Sequence, residues 1–485
     1  MDSRKSPLSY RRYNIDRTEN SRSKSAPVAP TADKSQLMIE TRKARRREIF
    51  GWCMFDFANQ AYTLLIITVI FGDLYTRIIV GDAPDYRLGN LLWSLALCLS
   101  YLLVVLSAPL LGAIMDQARA KKRMLFASYL LTVASTALLY YVAPGQVWLG
   151  FALIVVSNTA YSAGESFIAS FLPFLGERHE LGRISGLGWA LGYAGGLVSA
   201  GFVLVFLGEA SAENFERMRW VGPFAAAFFL VAAIPTFIWL REPAIGERHR
   251  LRMTVAHTAY RRLVQTVRSV ADFPDLAWLF LSILFAMAGV YVIVAFSFIY
   301  GAQVIGWTES TRNLMFIVVQ VTALLGAVLF GALQSRLGGR LTYALTLLLW
   351  IEAILAIYFV ESMTAGLNAW LGLALRAEQV FLFAGLLSGL SLGSSQSVGR
   401  ALVGMFAPES RAAELFGFWG LFSKLAAIFG IFGVGLLQWL FGLQGAVLFC
   451  ILLFALALLP LAAIDEARGM ESARRADEGA NAGGV

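Results

Sequence analysis

Asn158-Thr-Ala-Tyr161-Ser162-Ala-Gly-Glu165-Ser-Phe-Ile-Ala-Ser-Phe-Leu-Pro173 and Gln396-Ser397-Val-Gly-Arg400-Ala-Leu-Val-Gly-Met-Phe-Ala-Pro408 are apolar stretches built to one plan. Each carries a Ser-x-x-charge pair and reaches a proline eight residues after the charge. Charges and prolines share one offset of 235 positions (400 − 165 and 408 − 173), so the chain reads as a duplication. A carboxylate and a guanidinium at matched places in hydrocarbon are costly and mark residues with a function.

Composition fixes the solvent around these stretches. With 58% apolar and 15% charged residues and a mean hydropathy of +0.65, the chain reads as a polytopic membrane protein. Runs of about 20 apolar residues, enough to cross a hydrocarbon core, fall near 50–72, 90–115, 123–142, 147–173, 183–207 and 220–240. A second set lies near 276–301, 311–333, 341–361, 379–406, 414–439 and 442–463. These runs are too long and continuous for a membrane barrel. The expected fold is all-α, with about twelve transmembrane helices in two pseudo-symmetric six-helix bundles, 48–240 and 276–464.

The remaining segments are polar. Residues 1–47 are rich in Ser, Arg and Pro without a hydrophobic period, which predicts a disordered basic tail. In the linker 241–275, Met253, Leu263, Val264, Val267 and Val270 alternate with Arg252, Arg261, Arg262 and Arg268, predicting an amphipathic interfacial helix. Residues 465–485 form a second tail.

Cationic loops set the orientation. Arg42 to Arg47, then Arg119 with Lys121, Lys122 and Arg123, then Arg241 to Arg268 mark the cytoplasmic side, and both termini with it, in a multi-pass inner-membrane protein. Trp148, Trp220, Trp307 and Trp370 fall at outer helix ends, as an interfacial belt would place them. Those loops account for the net charge of +8, so nucleic acid is not expected as a partner. Cys53, Cys98 and Cys450 lack metal-ligand spacing and read as small buried hydrophobes. His179, His249 and His257 lie in predicted loops, which leaves proton work at membrane depth to carboxylates. No cofactor is called for, and no G-x-x-x-x-G-K-[ST] loop exists to drive the protein with ATP.

Three helices carry polar stripes. On the first, Asp56, Asn59, Gln60 and Thr63 follow i, i+3, i+4, i+7 and share a face. The fourth repeats the spacing with Asn158, Tyr161, Ser162 and Glu165, and the tenth with Gly393, Gln396, Ser397 and Arg400. Tyr291, Ser297 and Tyr300 make a weaker stripe on the seventh. Lys424 lies deep in the eleventh helix, where it has reason to pair or to bind an anionic group. Asp56 stands about a turn into the first helix, with capping, a loop cation and proton exchange as its readings. Glu352 has no evident role. Gly188, Gly192 and Gly196, spaced at four, predict close helix approach.

A loop motif also repeats, as Gly112-Ala-Ile-Met-Asp116-Gln-Ala-Arg119 before Lys121-Lys-Arg and as Gly331-Ala-Leu-Gln-Ser335-Arg336-Leu-Gly-Gly-Arg340. Both resemble the G-x-x-x-D-R-x-G-R-R-like signature of the major facilitator superfamily, with Ser335 replacing the acid in the second copy. A narrower resemblance is to the vacuolar amino-acid effluxer-like branch. Trp52-Cys-Met-Phe-Asp56-Phe-Ala-Asn59-Gln60-Ala is similar to its D-W-A-N-S-A-F opening. Phe171-Leu-Pro173 followed by Gly182-Arg-Ile-Ser185-Gly-Leu-Gly188-Trp189-Ala-Leu-Gly192-Tyr193 matches its L-P and G-R-V-S-G-L-G-W-A-L-G-Y. Gln396 to Leu402 resembles Q-A-L-S-R-S-L, with Gly399 for serine. Glu414 to Trp419 with Lys424 resembles E-F-F-G-F-Y with a following G-K, with Trp419 for tyrosine and Ser423 for glycine.

The resemblance implies a secondary transporter working by alternating access, with helices one, four, seven and ten lining a central cavity. An amino acid or organic acid as substrate, and efflux as direction, follow from it only as expectations. The expected partners are that small molecule, a coupling proton and lipid, with the protein a monomer. Glu165 and Arg400, roughly 12 Å from the cytoplasmic end, are expected to approach each other, directly or through water, when the cavity is closed on that side. A static ion pair is the alternative. Two other classes remain open: a scaffold or receptor on a transporter fold, and a lipid-modifying membrane enzyme, for which the chain shows no His-Asp or metal-spaced cluster.

Overall fold

Residues 34–81, 87–206, 214–243, 272–372 and 374–482 are described by the computed structural model, and they are helical nearly throughout. Contacts divide the chain into a unit of residues 1–44, in which helix begins at Lys34, and a unit Arg45–Val485 that holds everything below. That early start corrects the sequence reading: Lys34 to Arg47 is helical rather than disordered, and Asp56 lies well inside its helix rather than a turn from its beginning. The expected linker helix falls largely outside the described residues.

Helix α1 spans Lys34–Ala61 and continues in wider π-type turns over Tyr62–Val69. Then come α2 (Arg87–Ala118), α3 (Lys121–Leu138), α4 (Val147–Ala169), α5 (Leu181–Phe206) and α6 (Val221–Ala232). The second bundle holds α7 (Pro274–Tyr300), α8 (Glu309–Leu337), α9 (Gly339–Tyr358) and α10 (Ala377–Phe406). The next helical stretch, Ala412–Ala462, is 51 residues long, about 76 Å if straight. It folds back instead, bringing the Phe449 ring to within 3.1 Å of where a Cβ on Gly433 would lie. Its two arms are α11, running from Ala412 to Gly430, and α12, Val447–Ala462. Ten helices among the described residues are long and apolar enough to cross a membrane; α5 and α12 complete the twelve. A further helix, α13 (Glu466–Ala482), follows.

Packing differs between the two ends of the bundle. At the end that carries Pro173 and Pro408, one apolar cluster draws on both halves, joining Trp52, Leu125 and Phe171 to Phe280, Phe406 and Phe416. At the other end each half keeps its own cluster, Tyr62, Phe71 and Tyr75 in the first and Tyr300, Met315 and Phe381 in the second. Among the described residues the proline end is thus sealed by one shared core, while at the other end Phe316 of the second half packs against the first half's cluster. Trp148, Trp220 and Trp370 are exposed at the opposite end, but Trp307 is half-buried against Phe381. Cys53 and Cys450 are buried as expected, while Cys98 is exposed on α2, where a small apolar side chain can face lipid.

The proline end is held by caps supplied from a distance. The Glu242 carboxylate accepts from Lys121 N (2.8 Å) and Lys122 N (2.7 Å) at the start of α3. In the second half Glu466 accepts from Gly339 N (3.0 Å) at the start of α9. Each satisfies amide groups that a helix N-terminus leaves open. Helix α13 docks through Arg468, whose guanidinium donates to both Asp275 oxygens (2.8 and 2.7 Å). Its Asp477 accepts from Glu409 N and Ser410 N, both at 3.0 Å, and pairs with Arg178 of the first half at 3.6 Å.

Candidate functional site

Arg400 does not meet Glu165. Its Nη1 donates to Asp56 Oδ2 at 2.7 Å, Nε to Ser185 Oγ at 3.1 Å and Nη2 to the Ser185 carbonyl at 3.1 Å. The guanidinium lies 4.6 Å from the Trp52 ring and 5.1 Å from the Trp189 ring. A planar cation suits this slot, since it bonds in its plane and stacks on its faces. The enclosure is nearly complete, with Arg400 3% exposed. A direct Glu165–Arg400 contact is therefore absent: α1 presents Asp56 to α10, while Glu165 and Arg400 line one cavity without bonding each other.

The glycine series on α5 makes this possible. A Cβ on Gly188 would stand 2.6 Å from Asp56 Oδ2, 2.7 Å from Arg400 Nη2 and 2.7 Å from the Trp52 ring. No side chain fits there while the pair is made. Gly192 and Gly196 continue along α1, beside Asp56 and Gln60. The spacing-at-four motif is thus a seat for the polar stripe of α1.

Glu165 pairs with Lys424. Lys424 Nζ donates to Glu165 Oε2 at 3.2 Å, and the Tyr161 hydroxyl donates to Glu165 Oε1 at 3.0 Å. Thr63 Oγ1 donates to the Tyr161 hydroxyl at 2.6 Å, so the first- and fourth-helix stripes do meet. Lys424 Nζ also lies 5.2 Å from the Tyr101 ring. Further along α4, Asn158 Nδ2 donates to Ser100 Oγ at 2.5 Å, which reads as a structural anchor to α2. On α10, Gln396 Oε1 accepts from Tyr193 at 2.6 Å, and the Ser397 carbonyl accepts from Ser185 Oγ at 2.8 Å, both bonds between the halves. Asn59 is buried in α1.

Between the two ion pairs lies a cavity of about 60 Å³. Ser162, Glu165 and Ser166 line it from α4, Tyr291 from α7, Gln396 and Arg400 from α10, and Ser423 and Lys424 from α11. Trp189 of α5 and Tyr343 of α9 also reach it, whereas no residue of α1 does. Helices four, seven and ten thus line the cavity as expected, and the first stands behind Arg400. Tyr300 is buried in the outer cluster of the second half, away from the cavity. Glu352 is on the exposed side of α9.

The loop motif closes the same end. Asp116 accepts from Ala413 N (3.2 Å) and Glu414 N (2.9 Å) at the start of α11, and pairs with Lys121 at 2.9 Å. Gly112 packs so tightly on Ala413 that a Cβ would come within 2.2 Å of its carbonyl oxygen. Arg119 turns the chain in a left-handed conformation (φ 48°). The second copy differs. Ser335 donates to the Ala332 carbonyl and is exposed, Arg336 is exposed, and Gly331 packs on Gly182 across the halves. Arg340 Nη1 donates to the Ile464 carbonyl at 2.9 Å. Beside these loops, Arg45 donates to Glu180 and holds its carboxyl below the usual carboxylate range.

Twelve helices in two bundles around a polar cavity define a secondary transporter of the major facilitator superfamily. The vacuole effluxer Atg22-like family model matches residues 93–474, and the chain belongs to that family. It is 24% identical to an uncharacterized MFS-type transporter, YxiO, of Bacillus subtilis over 426 residues, covering 86% of this chain and 94% of that one. It is 23% identical to autophagy-related protein 22 of Kluyveromyces lactis over 317 residues, 61% of this chain and 62% of that one. Among solved structures, an outward-facing bacterial homologue of the iron transporter ferroportin superposes with a TM-score of 0.64 at 15% identity, covering 87% of this chain and 98% of that one. The transporter FucP in its outward conformation gives 0.63 at 14%, covering 86% and 98%.

The sequence identified both cations and both acids of the two pairs but not their partners. Ser185, Gly188 and Trp189 were visible only as a motif, and that motif is the socket of Arg400. Ser166 carried no sequence signal, and Ser423 stood out only as a departure from the family's glycine, because a serine in an apolar helix usually bonds its own backbone.

Proposed function

We propose that the protein exports a small zwitterionic or anionic solute, an amino acid or organic acid, by alternating access, with substrate bound between Glu165 and Lys424. The observation that carries this reading is the contrast across one cavity: Arg400 has its donors committed to Asp56 and Ser185, whereas Lys424 and Glu165 share a single 3.2 Å contact facing the cavity. A substrate carboxylate takes Lys424 and an ammonium takes Glu165, each replacing half of an existing pair. The Asp56–Arg400 pair, with Asp116 on α11, locks the proline end, which the positive-inside rule turns toward the cytoplasm of a bacterial-type inner membrane, both termini with it. Glu165 is also the carboxylate on which a coupling proton travels. The unit that does this is a monomer. The cavity is smaller than an amino acid, so the halves must part to admit one.

A thermal-shift screen of the purified protein against amino acids and organic acids tests the substrate class, since binding stabilises by mass action. Stabilisation that is lost in Lys424→Met supports the reading; stabilisation by neither class overturns it. Substrate-driven acidification in proteoliposomes tests coupling. Wild-type, pH-independent transport by Glu165→Gln removes the proton from the mechanism.

A further inference from the structure

Apart from Lys121 Nζ, which is ion-paired to Asp116, nine buried side-chain polar atoms lack a hydrogen-bond partner among the described residues, and four of them line this one cavity. They are the hydroxyls of Ser162, Ser166 and Ser423 and the indole N–H of Trp189. A serine or threonine in a helix ordinarily donates to the carbonyl three or four residues earlier, as Ser128, Thr132, Thr159 and Ser391 do here. The three cavity serines do not, although they are only 1%, 2% and 5% exposed. Buried polar groups without partners are expensive, and a cluster of them around one cavity marks a place where something else supplies the bonds.

We propose that these four groups select the neutral part of the substrate, and that this part carries a hydroxyl or carboxamide rather than hydrocarbon. The inference rests on the Glu165–Lys424 reading, which assigns the ionic head group and leaves only uncharged recognition unspent. An indole N–H is a donor only, so it needs an acceptor oxygen, while a serine hydroxyl both donates and accepts. When the halves close around an aliphatic side chain, all four stay unpaired. A carboxamide, with two donors and two acceptor lone pairs, can satisfy all four, and a hydroxyl up to three of them. Sites built this way discriminate strongly against isosteres that lack the polar atom, whereas apolar pockets barely reject an added hydroxyl.

The test uses isosteric pairs, L-threonine against L-valine and L-asparagine against L-leucine, in thermal-shift titrations of the purified full-length protein. Threonine and asparagine are expected to bind at least about tenfold tighter than their apolar counterparts. In Ser166→Ala and Ser423→Ala that ratio should fall severalfold, while the melting temperature holds or rises because an unpaired hydroxyl has been removed. Binding of valine as tightly as threonine overturns the inference and leaves the ionic site standing. A preference for threonine that neither serine substitution alters also overturns it. If none of the four stabilises the protein, the amino-acid reading itself fails, and this inference with it.

Discussion

Two ion pairs stand on either side of one cavity and differ in enclosure. Asp56–Arg400 is roofed by two indole rings, anchored by Ser185 and fitted against Gly188, with side chains 10% and 3% exposed. Glu165–Lys424 has one longer contact, and although Lys424 is 9% exposed its carboxylate partner is 25% exposed. The same chemistry inside one bundle therefore has two physical characters. An enclosed pair resists exchange, because separating it leaves an unpaired charge out of water. A pair open to a cavity can trade partners, which is what a binding site requires.

The largest effect expected is on the enclosed pair. Arg400→Gln should cost about 3–5 kcal/mol, because Asp56 is left buried and unpaired; thermal unfolding in detergent measures it. The double variant Asp56→Asn with Arg400→Gln should recover most of that stability while transport stays impaired. Full transport by the double variant would reduce this pair to structure and erase the contrast. Glu165→Gln leaves Lys424 unpaired with its side chain 9% exposed, though beside a cavity, and should cost about 1–3 kcal/mol, yet reduce transport more than Gly192→Ala does. Equal destabilisation in Arg400→Gln and Glu165→Gln would show the pairs to be alike.

A subtler perturbation reaches the lock without changing charge. Gly188→Ala forces a methyl into 2.6 Å of Asp56 Oδ2 and should cost about 1–3 kcal/mol, as overpacking does. Gly192→Ala, where the nearest atom is 3.4 Å away, should stay within about 0.5 kcal/mol. The smallest effect, at Ser335, distinguishes the loop copies. Asp116→Asn should cost about 1–3 kcal/mol, because it leaves Lys121 buried without its carboxylate and weakens the cap on α11, whereas Ser335→Asp, exposed and capping nothing, should leave the melting temperature unchanged. A clear gain from Ser335→Asp would restore the symmetry that the structure lacks.

Much of this was legible in the residues. Long apolar runs leave helices as the credible spanning element, and the shared offset of 165 with 400 and of 173 with 408 announced a duplication. The stripes on α1, α4 and α10 are buried within the bundle because period-3.6 spacing fixes a face. Spacing along one helix fixes which side chains share a face. It does not say which neighbour that face meets.

For that reason the chain alone put Asp56, Glu165, Arg400 and Lys424 on their helices and made all four costly to hold there without partners. Tertiary packing decided the pairing. Gly188 let α5 press against α1, Trp52 and Trp189 walled in the guanidinium, and Asp56 rather than Glu165 was left within 2.7 Å of Arg400. A Coulomb pair depends on separation in space, and the separations between helices are set by side chains far apart in the sequence.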